Sequence, residues 1–137
     1  SSYEYLCTNI GSENCTLAAV HGGDAGECML VRGSKPYFNK IGEGTGTKLL
    51  SFRSILEADC CVKMDIEGGE LSIIDNCDFT GIRMMIIAYH TNVDRSVDNF
   101  NRRMEKLSRW FSVSHQKVTG TYFNIFPNEI MVYLQRP

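Results

Sequence analysis

The order of predicted elements places this chain in the α/β class, with a mostly parallel sheet that ends in an antiparallel strand pair. Two strand-like runs, Cys61 to Ile66 and Ile82 to Ala88, are separated by a helix that begins near Glu70. After a further helix come two closing strands, Phe111 to Lys117 and Ile130 to Leu134, without a helical segment between them. Strands joined without a helix pair antiparallel, which gives the sheet its predicted ending.

Length, composition and charge restrict the classes of protein to consider. The 137 residues suit one domain, and a hydrophobic content of 43% is enough to form a core. A net charge of −2 provides no basic surface, so neither a nucleic acid nor a membrane is expected as a partner. No apolar run approaches the roughly 20 residues that a transmembrane helix needs.

The cysteine pattern favours free thiols in a reducing compartment, and we therefore expect a cytoplasmic protein. The chain lacks a C-x-x-C pair, so its cysteines predict no zinc site, and no metal is expected from them. Cys60 and Cys61 are vicinal and open an apolar run, where buried reduced thiols fit best. The six cysteines are Cys7, Cys15, Cys28, Cys60, Cys61 and Cys77.

In the first part of the chain the predicted elements are short. Tyr3 to Asn9 has the pattern of the last turns of a helix, and Thr16 to Val20 and Glu27 to Val31 are each predicted as a short strand. Gly33 to Gly46 is rich in glycine and polar residues and is predicted to be a loop. Leu49 to Leu56 is ambiguous and is expected to hold a strand end and a short helix.

The second part of the chain has clearer periodicity. In the run from Cys61, the side chains of Cys61, Lys63 and Asp65 share one face, because strand residues alternate. Ile82 to Ala88 is almost continuously apolar, which is typical of a parallel strand covered on both faces. A helix capped by Ser96 follows. Its apolar residues recur at helical spacing and are Val97, Phe100, Met104, Leu107 and Phe111.

Three charged residues, Lys63, Asp65 and Glu67, lie at the carboxyl end of the predicted central strand. Ligands of open α/β sheets bind at that edge. A carboxylate there can orient a hydroxyl, accept its proton or hold a metal ion. A purely structural pairing of Lys63 with Asp65 is the alternative. The D-x-E spacing also resembles the metal-binding acidic motif of many glycosyltransferases.

The full string K-M-D-I-E-G-G-E-L, from Lys63 to Leu71, resembles the K-x-D-x-E-G-x-E-L segment of FkbM-type methyltransferases. Thr16 to Val20 and Ile82 to His90 are similar to neighbouring strands of that family. The resemblance implies a Rossmann-like methyltransferase fold and methyl transfer from S-adenosylmethionine to a hydroxyl of a sugar, a glycan or another small metabolite. It assigns catalytic roles to Lys63, Asp65 and Glu67.

His90 is the fourth candidate catalytic residue. The family often has an acidic residue near the end of the strand that corresponds to Ile82 to His90, whereas this chain has Ala88-Tyr89-His90. A histidine there can face the site as a proton acceptor. A structural hydrogen bond is an equally open role for it.

The resemblance also implies that the chain begins after the two strands that carry most cofactor contacts in this fold. The adenosine would then touch this chain around Ala18, Ala19, Val20 and His21. Since the two strands would lie between the third and fourth strands, their absence leaves unpaired sheet edges. We therefore expect another chain or an upstream segment to complete the sheet.

A second location for the cofactor loop is Ile41 to Thr47, which looks like a glycine-rich turn. In that case Leu49 to Leu56 would be the following helix, and Asp65 or Glu67 would bind the ribose. Ser34 to Lys40, which would have to be the strand before the turn, contains a proline and two lysines and is a poor buried strand.

Three functions are consistent with these patterns. The first is an FkbM-like O-methyltransferase, the second a non-catalytic methyltransferase-like subunit or interaction module, and the third a metal-dependent glycosyltransferase. For the first, we expect Asp65 and Glu67 at an open cleft, with His90 or Tyr89 close by at the end of a parallel neighbouring strand.

Overall fold

Two four-stranded sheets and three α-helices make up the described part of the chain, which has a mixed α/β architecture. The computed structural model describes residues 2–18, 20–21, 27–32, 39–42, 47–66, 68–117 and 129–137. The helices are α1 (Ser2–Ile10), α2 (Gly69–Asn76) and α3 (Val97–Leu107). The strands are β1 (Val20–His21), β2 (Glu27–Arg32), β3 (Asn39–Gly42), β4 (Thr47–Ser51), β5 (Cys60–Met64), β6 (Ile82–His90), β7 (Ser112–Lys117) and β8 (Glu129–Gln135).

The sheet formed by β5, β6, β8 and β7, in that order, carries the predicted central strands. β5 and β6 are parallel, with Met64 opposite Ile87, and α2 lies between them in the chain. β8 runs antiparallel to both β6 and β7. The predicted parallel pair, its helical connection and the antiparallel closing strands are therefore confirmed.

The other sheet has the order β1, β4, β2, β3, and it corrects the expectation of a mostly parallel sheet. Here β1 and β4 are parallel, while β2 pairs antiparallel with both β3 and β4. Among the described strands, antiparallel pairs thus outnumber parallel ones. The physical reason is that β2, β3 and β4 follow one another through short connections, which cannot contain the crossover that parallel pairing requires.

Two other expectations for the first part of the chain are wrong in detail, and a third, a strand end followed by a short helix within Leu49 to Leu56, is confirmed. Residues 16–18 are not in a strand, and the exposed side chain of Leu17 shows that this stretch has no core face to bury. β3 lies inside the segment predicted as loop, because backbone pairing with β2 defines it. Leu49 to Ser51 belongs to β4 and precedes a 3-10 helix over Phe52–Ile55. A helix directly after a cofactor loop at Ile41 to Thr47 is therefore excluded.

The core lies between the helices α2 and α3 and one face of the sheet formed by β5, β6, β8 and β7. Met85, Ile87 and Tyr89 point from β6 into this core and are fully buried. On α3, Phe100 and Leu107 are buried, as the helical spacing predicted. The Ser96 side chain accepts a hydrogen bond from the backbone N–H of Asn99, which confirms it as the N-cap.

The opposite face of this sheet is open among the described residues. Met84 and Tyr133 are exposed by 37% and 40%, although β6 was expected to be covered on both faces. Cys61 is also exposed, so it is not the buried thiol that its apolar surroundings suggested. None of the helices in the described ranges has the length and apolarity to cross a bilayer.

Candidate functional site

The candidate site lies where β5 and β6 end side by side. The chain leaves β5 through Asp65 and Ile66, and Gly68 then adopts a left-handed conformation with φ of 109° immediately before α2. A Cβ atom at Gly68 would lie 2.7 Å from Cγ2 of Val93, in the segment after β6. Glycine is therefore needed at this position both for the backbone angle and for the close approach of the two segments.

Glu70, in the first turn of α2, connects these two strand ends. Its side chain is fully buried, although it is charged in its usual form. Oε2 accepts a hydrogen bond of 2.7 Å from the backbone N–H of Gly68, and Oε1 accepts one of 2.7 Å from the backbone N–H of His90. Buried carboxylates are tolerated when their oxygens are satisfied in this way.

The imidazole of His90 lies between two carboxylates. Its Nδ1 is 3.0 Å from Oε1 of Glu70, and its Nε2 is 3.7 Å from Oδ1 of Asp65. The second distance is longer than a hydrogen bond, so Asp65 is near the ring without being bonded to it. The His90 side chain is 14% exposed and that of Asp65 is 57% exposed, so the Nε2 side of the ring is the accessible one.

The predicted site residues are brought together only in part. The proximity of Asp65 and His90 is confirmed. Lys63 is exposed on β5, whereas Asp65 follows the end of that strand. Glu67 lies outside the described residues.

Of the two residues expected near Asp65, His90 is the one that lies there, whereas Tyr89 points away from this site. Successive strand residues point to opposite faces, and Tyr89 is buried against α3. Its hydroxyl is 2.9 Å from Nη1 of Arg103. Burial raises the pKa of Tyr89 above its usual value, and the hydrogen bond from Arg103 opposes that rise.

Sequence reasoning missed the role of Glu70, which it used only to mark the start of a helix. A signal was present in the spacing. Glu70 precedes Ile73 by three residues and Ile74 by four, which places all three on one helical face. Since both isoleucines are fully buried, the carboxylate on that face had to be buried and hydrogen-bonded as well.

A second polar cluster holds the elements behind the site. Arg103 of α3 donates two hydrogen bonds to Asp75 of α2, at 3.0 and 2.8 Å, and one of 3.0 Å to Asp94 after β6. The hydrogen bond from Arg103 is the main reason why the pKa of Asp75 is lowered. For Asp94, the backbone N–H of Ser96 lowers the pKa first and Arg103 second. The cluster fixes α3 against α2 and against the segment that follows His90.

Two of the four predicted cofactor residues border a cleft of about 240 Å³ along the edge of β5 that has no strand partner in the described ranges. Ala18 and Val20 line one side of it, and Phe52 and Val62 line others. Ala19 and the side chain of His21 lie outside what the structure describes. The cleft wall includes Lys63, Met64 and Ile66 but not Asp65.

Within the described ranges, no group of three or more metal-binding side chains comes together. Of the D-x-E pair, Asp65 is the member that the structure describes. In comparisons with known proteins, no family model matches this chain, and neither does any curated protein or solved structure. A function must therefore be inferred from the geometry of the site and from the motif around it.

Proposed function

We propose that this chain belongs to an FkbM-like, S-adenosylmethionine-dependent O-methyltransferase. The observation that carries the proposal is the approach of His90 Nε2 to Asp65 Oδ1, at 3.7 Å, where two parallel strands end together. Asp65 lies inside the K-M-D-I-E-G-G-E-L segment on which the resemblance depends. A motif residue and a potential proton acceptor thus meet at the edge where α/β proteins bind their ligands.

The sheet topology supports this proposal. β8 lies antiparallel between β6 and β7, which agrees with the antiparallel ending that the resemblance implies. β1 and β5 are in different sheets, and β5 has β6 as its hydrogen-bonded partner among the described strands. The edge of β5 that faces away from β6 therefore has no strand partner within the described part of the chain.

In the proposed reaction, S-adenosylmethionine supplies an electrophilic methyl group when it is bound. The acceptor hydroxyl must lose its proton, and Nε2 of His90 lies on the accessible side of the ring to receive it. The Asp65 carboxylate then stabilises the positive charge that forms on the imidazole. Lys63, exposed on β5, provides a positive charge for an anionic group of the acceptor.

The adenosine is the part of S-adenosylmethionine that the resemblance places beside Ala18 and Val20. The cleft beside Ala18 and Val20 measures about 240 Å³, below the roughly 300 Å³ at which pockets for drug-sized ligands begin. We therefore expect very weak binding of S-adenosylmethionine to these 137 residues when measured by titration calorimetry. A dissociation constant in the low micromolar range, about −8 kcal/mol, would contradict this view of the cleft.

The catalytic assignment is tested in the complete protein, which in this proposal also carries the cofactor-binding strands, with methyl-labelled S-adenosylmethionine and a panel of hydroxyl-bearing sugars and small metabolites. His90→Gln and Asp65→Asn should each lower label transfer roughly a hundredfold or more, as expected for loss of a general base or its charge partner. Tyr89→Phe is the matched control, since it changes the adjacent residue on the other face of β6. Wild-type rates in both site variants would show that the assignment is wrong.

A non-catalytic interaction module is the second candidate, and the open sheet face around Met84 and Tyr133 favours it. It predicts a folded protein that transfers no methyl group and binds no S-adenosylmethionine. The third candidate, a glycosyltransferase, would instead require a divalent cation and a nucleotide-sugar. Sugar transfer to the same panel of acceptors in the presence of both would identify it.

A further inference from the structure

We propose that Glu70 is a positioning residue that keeps the proton of neutral His90 on Nδ1 and leaves Nε2 as the proton acceptor. The inference rests on the proposed function for the identity of the substrate, a hydroxyl-bearing acceptor. Which nitrogen of His90 carries the proton is a property of the protein itself and does not depend on the substrate.

The hydrogen bonds around Glu70 determine which nitrogen carries the proton. Its two oxygens already accept from the backbone N–H groups of Gly68 and His90, both at 2.7 Å. An ionised carboxylate has no proton to donate. Since Nδ1 of His90 is 3.0 Å from Oε1, a bare Nδ1 would place two acceptors against each other. A proton on Nδ1 turns this contact into a hydrogen bond.

The burial of Glu70 makes the arrangement rigid. The side chain is fully shielded from solvent, so water does not compete for its oxygens. Gly68 holds one oxygen at the start of α2, and the His90 backbone holds the other at the end of β6. The acceptor for Nδ1–H is thus fixed to the same strand end as the ring, which sets the tautomer and the ring orientation.

The proton transfer that this arrangement permits is balanced. The O–H bond of the acceptor breaks, its proton bonds to Nε2, and the electron pair stays on the oxygen that takes the methyl group. The resulting imidazolium lies between the carboxylates of Glu70 and Asp65, at 3.0 and 3.7 Å from its two nitrogens. Glu70 acts through His90, whereas His90 is the residue that meets the substrate.

The test is a long-range ¹H–¹⁵N correlation spectrum of the imidazole rings in the ¹⁵N-labelled protein, recorded without cofactor at a pH where His90 is neutral. The chain has three histidines, and a His90→Gln sample identifies the signals that belong to His90. We expect a protonated Nδ1 and a bare Nε2 in the wild type. In Glu70→Gln we expect the proton population to move toward Nε2, and kcat for methyl transfer to fall roughly a hundredfold.

A wild-type spectrum with the proton on Nε2 would overturn the inference, and this measurement decides the matter even if Glu70→Gln fails to fold. An unchanged Nδ1–H signal in a folded Glu70→Gln variant would overturn it as well. The outcome for the proposed function is separate. A protein with the expected tautomer but no methyl transfer would refute the function, whereas His90-dependent transfer with the opposite tautomer would refute the role of Glu70 alone.

Discussion

Tyr89 and His90 are neighbours in β6, yet their side chains enter two polar clusters of different construction. Tyr89 joins the Arg103 cluster, in which the guanidinium donates to two carboxylates and to the phenol oxygen at distances of 2.8 to 3.0 Å. His90 joins Glu70 at 3.0 Å on one side, but its other nitrogen is 3.7 Å from Asp65 and faces the exposed side.

The Arg103 cluster stabilises the fold, whereas the cluster around His90 leaves a polar atom that a ligand can bind. Around Arg103, four of the five N–H donors of the guanidinium are hydrogen-bonded and the side chain is 7% exposed, so there is little room for another molecule. At His90 one nitrogen is fixed by a buried carboxylate and the other has no partner within hydrogen-bonding distance among the contacts described above. Adjacent residues can therefore have separable effects on stability and on activity.

The largest expected effect on stability comes from Arg103→Met. Asp75, Asp94 and Tyr89 would lose their shared donor, and removing one partner of such a largely buried cluster typically costs about 3 kcal/mol. Urea denaturation measures the loss. Arg102→Met is the matched control, because Arg102 is 54% exposed and bonds to Asp75 at 3.3 Å, so its removal should cost less than about 1 kcal/mol. Equal losses in the two variants would show that the cluster does not hold the fold.

The same cluster should make the protein sensitive to acid. The folded pKa of Asp75 lies below its ordinary value, mainly because Arg103 donates a hydrogen bond to it. The stabilisation is therefore fully present above the unfolded aspartate pKa of about 3.9 and is lost as the pH falls through the folded value. Urea midpoints measured from pH 7 to pH 3 should fall more steeply for the wild type than for Arg103→Met. Parallel curves would contradict this linkage.

A smaller effect is expected for Tyr89→Phe, which removes the phenol oxygen that accepts from Arg103. Loss of one buried hydrogen bond should lower the free energy of unfolding by about 1 kcal/mol, with methyl transfer at the wild-type rate. His90→Gln should show the opposite pattern, with little change in stability and a large loss of activity. Measuring unfolding and label transfer on both variants tests whether the two clusters are independent, and matching profiles would show that they are not.

The second half of the fold could be predicted from the sequence because its periodic signals agree with its packing. The spacing of Phe100, Met104 and Leu107 marks the buried face of α3, and Ser96 caps the helix where expected. In the first half, tertiary contacts decided the secondary structure against the local preference of the sequence. Leu17 lies in a strand-like run but is exposed, while β3 exists because it pairs with β2.

For the candidate site, the sequence identified the residues on each strand end but not the residue that joins them. Asp65 and His90 could be placed together because parallel strands end at the same edge. The function of Glu70 could not be seen from its neighbours in the chain, since its partner His90 is 20 residues away. The sequence left open whether His90 or Tyr89 lies near Asp65, and the structure places the Tyr89 side chain on the opposite face, in the Arg103 cluster.

The sequence by itself determined the α/β class, the parallel pairing of β5 with β6, the antiparallel closing strands and the positions of Asp65 and His90. These features depend on periodicity and on whether a helix lies between two strands, which are local properties of the chain. Only the tertiary structure decided that the strands divide between two sheets, that one sheet face is open and that Glu70 is bonded to His90. Each of these depends on contacts between residues distant in sequence, which are set by packing and by the need to satisfy buried polar groups.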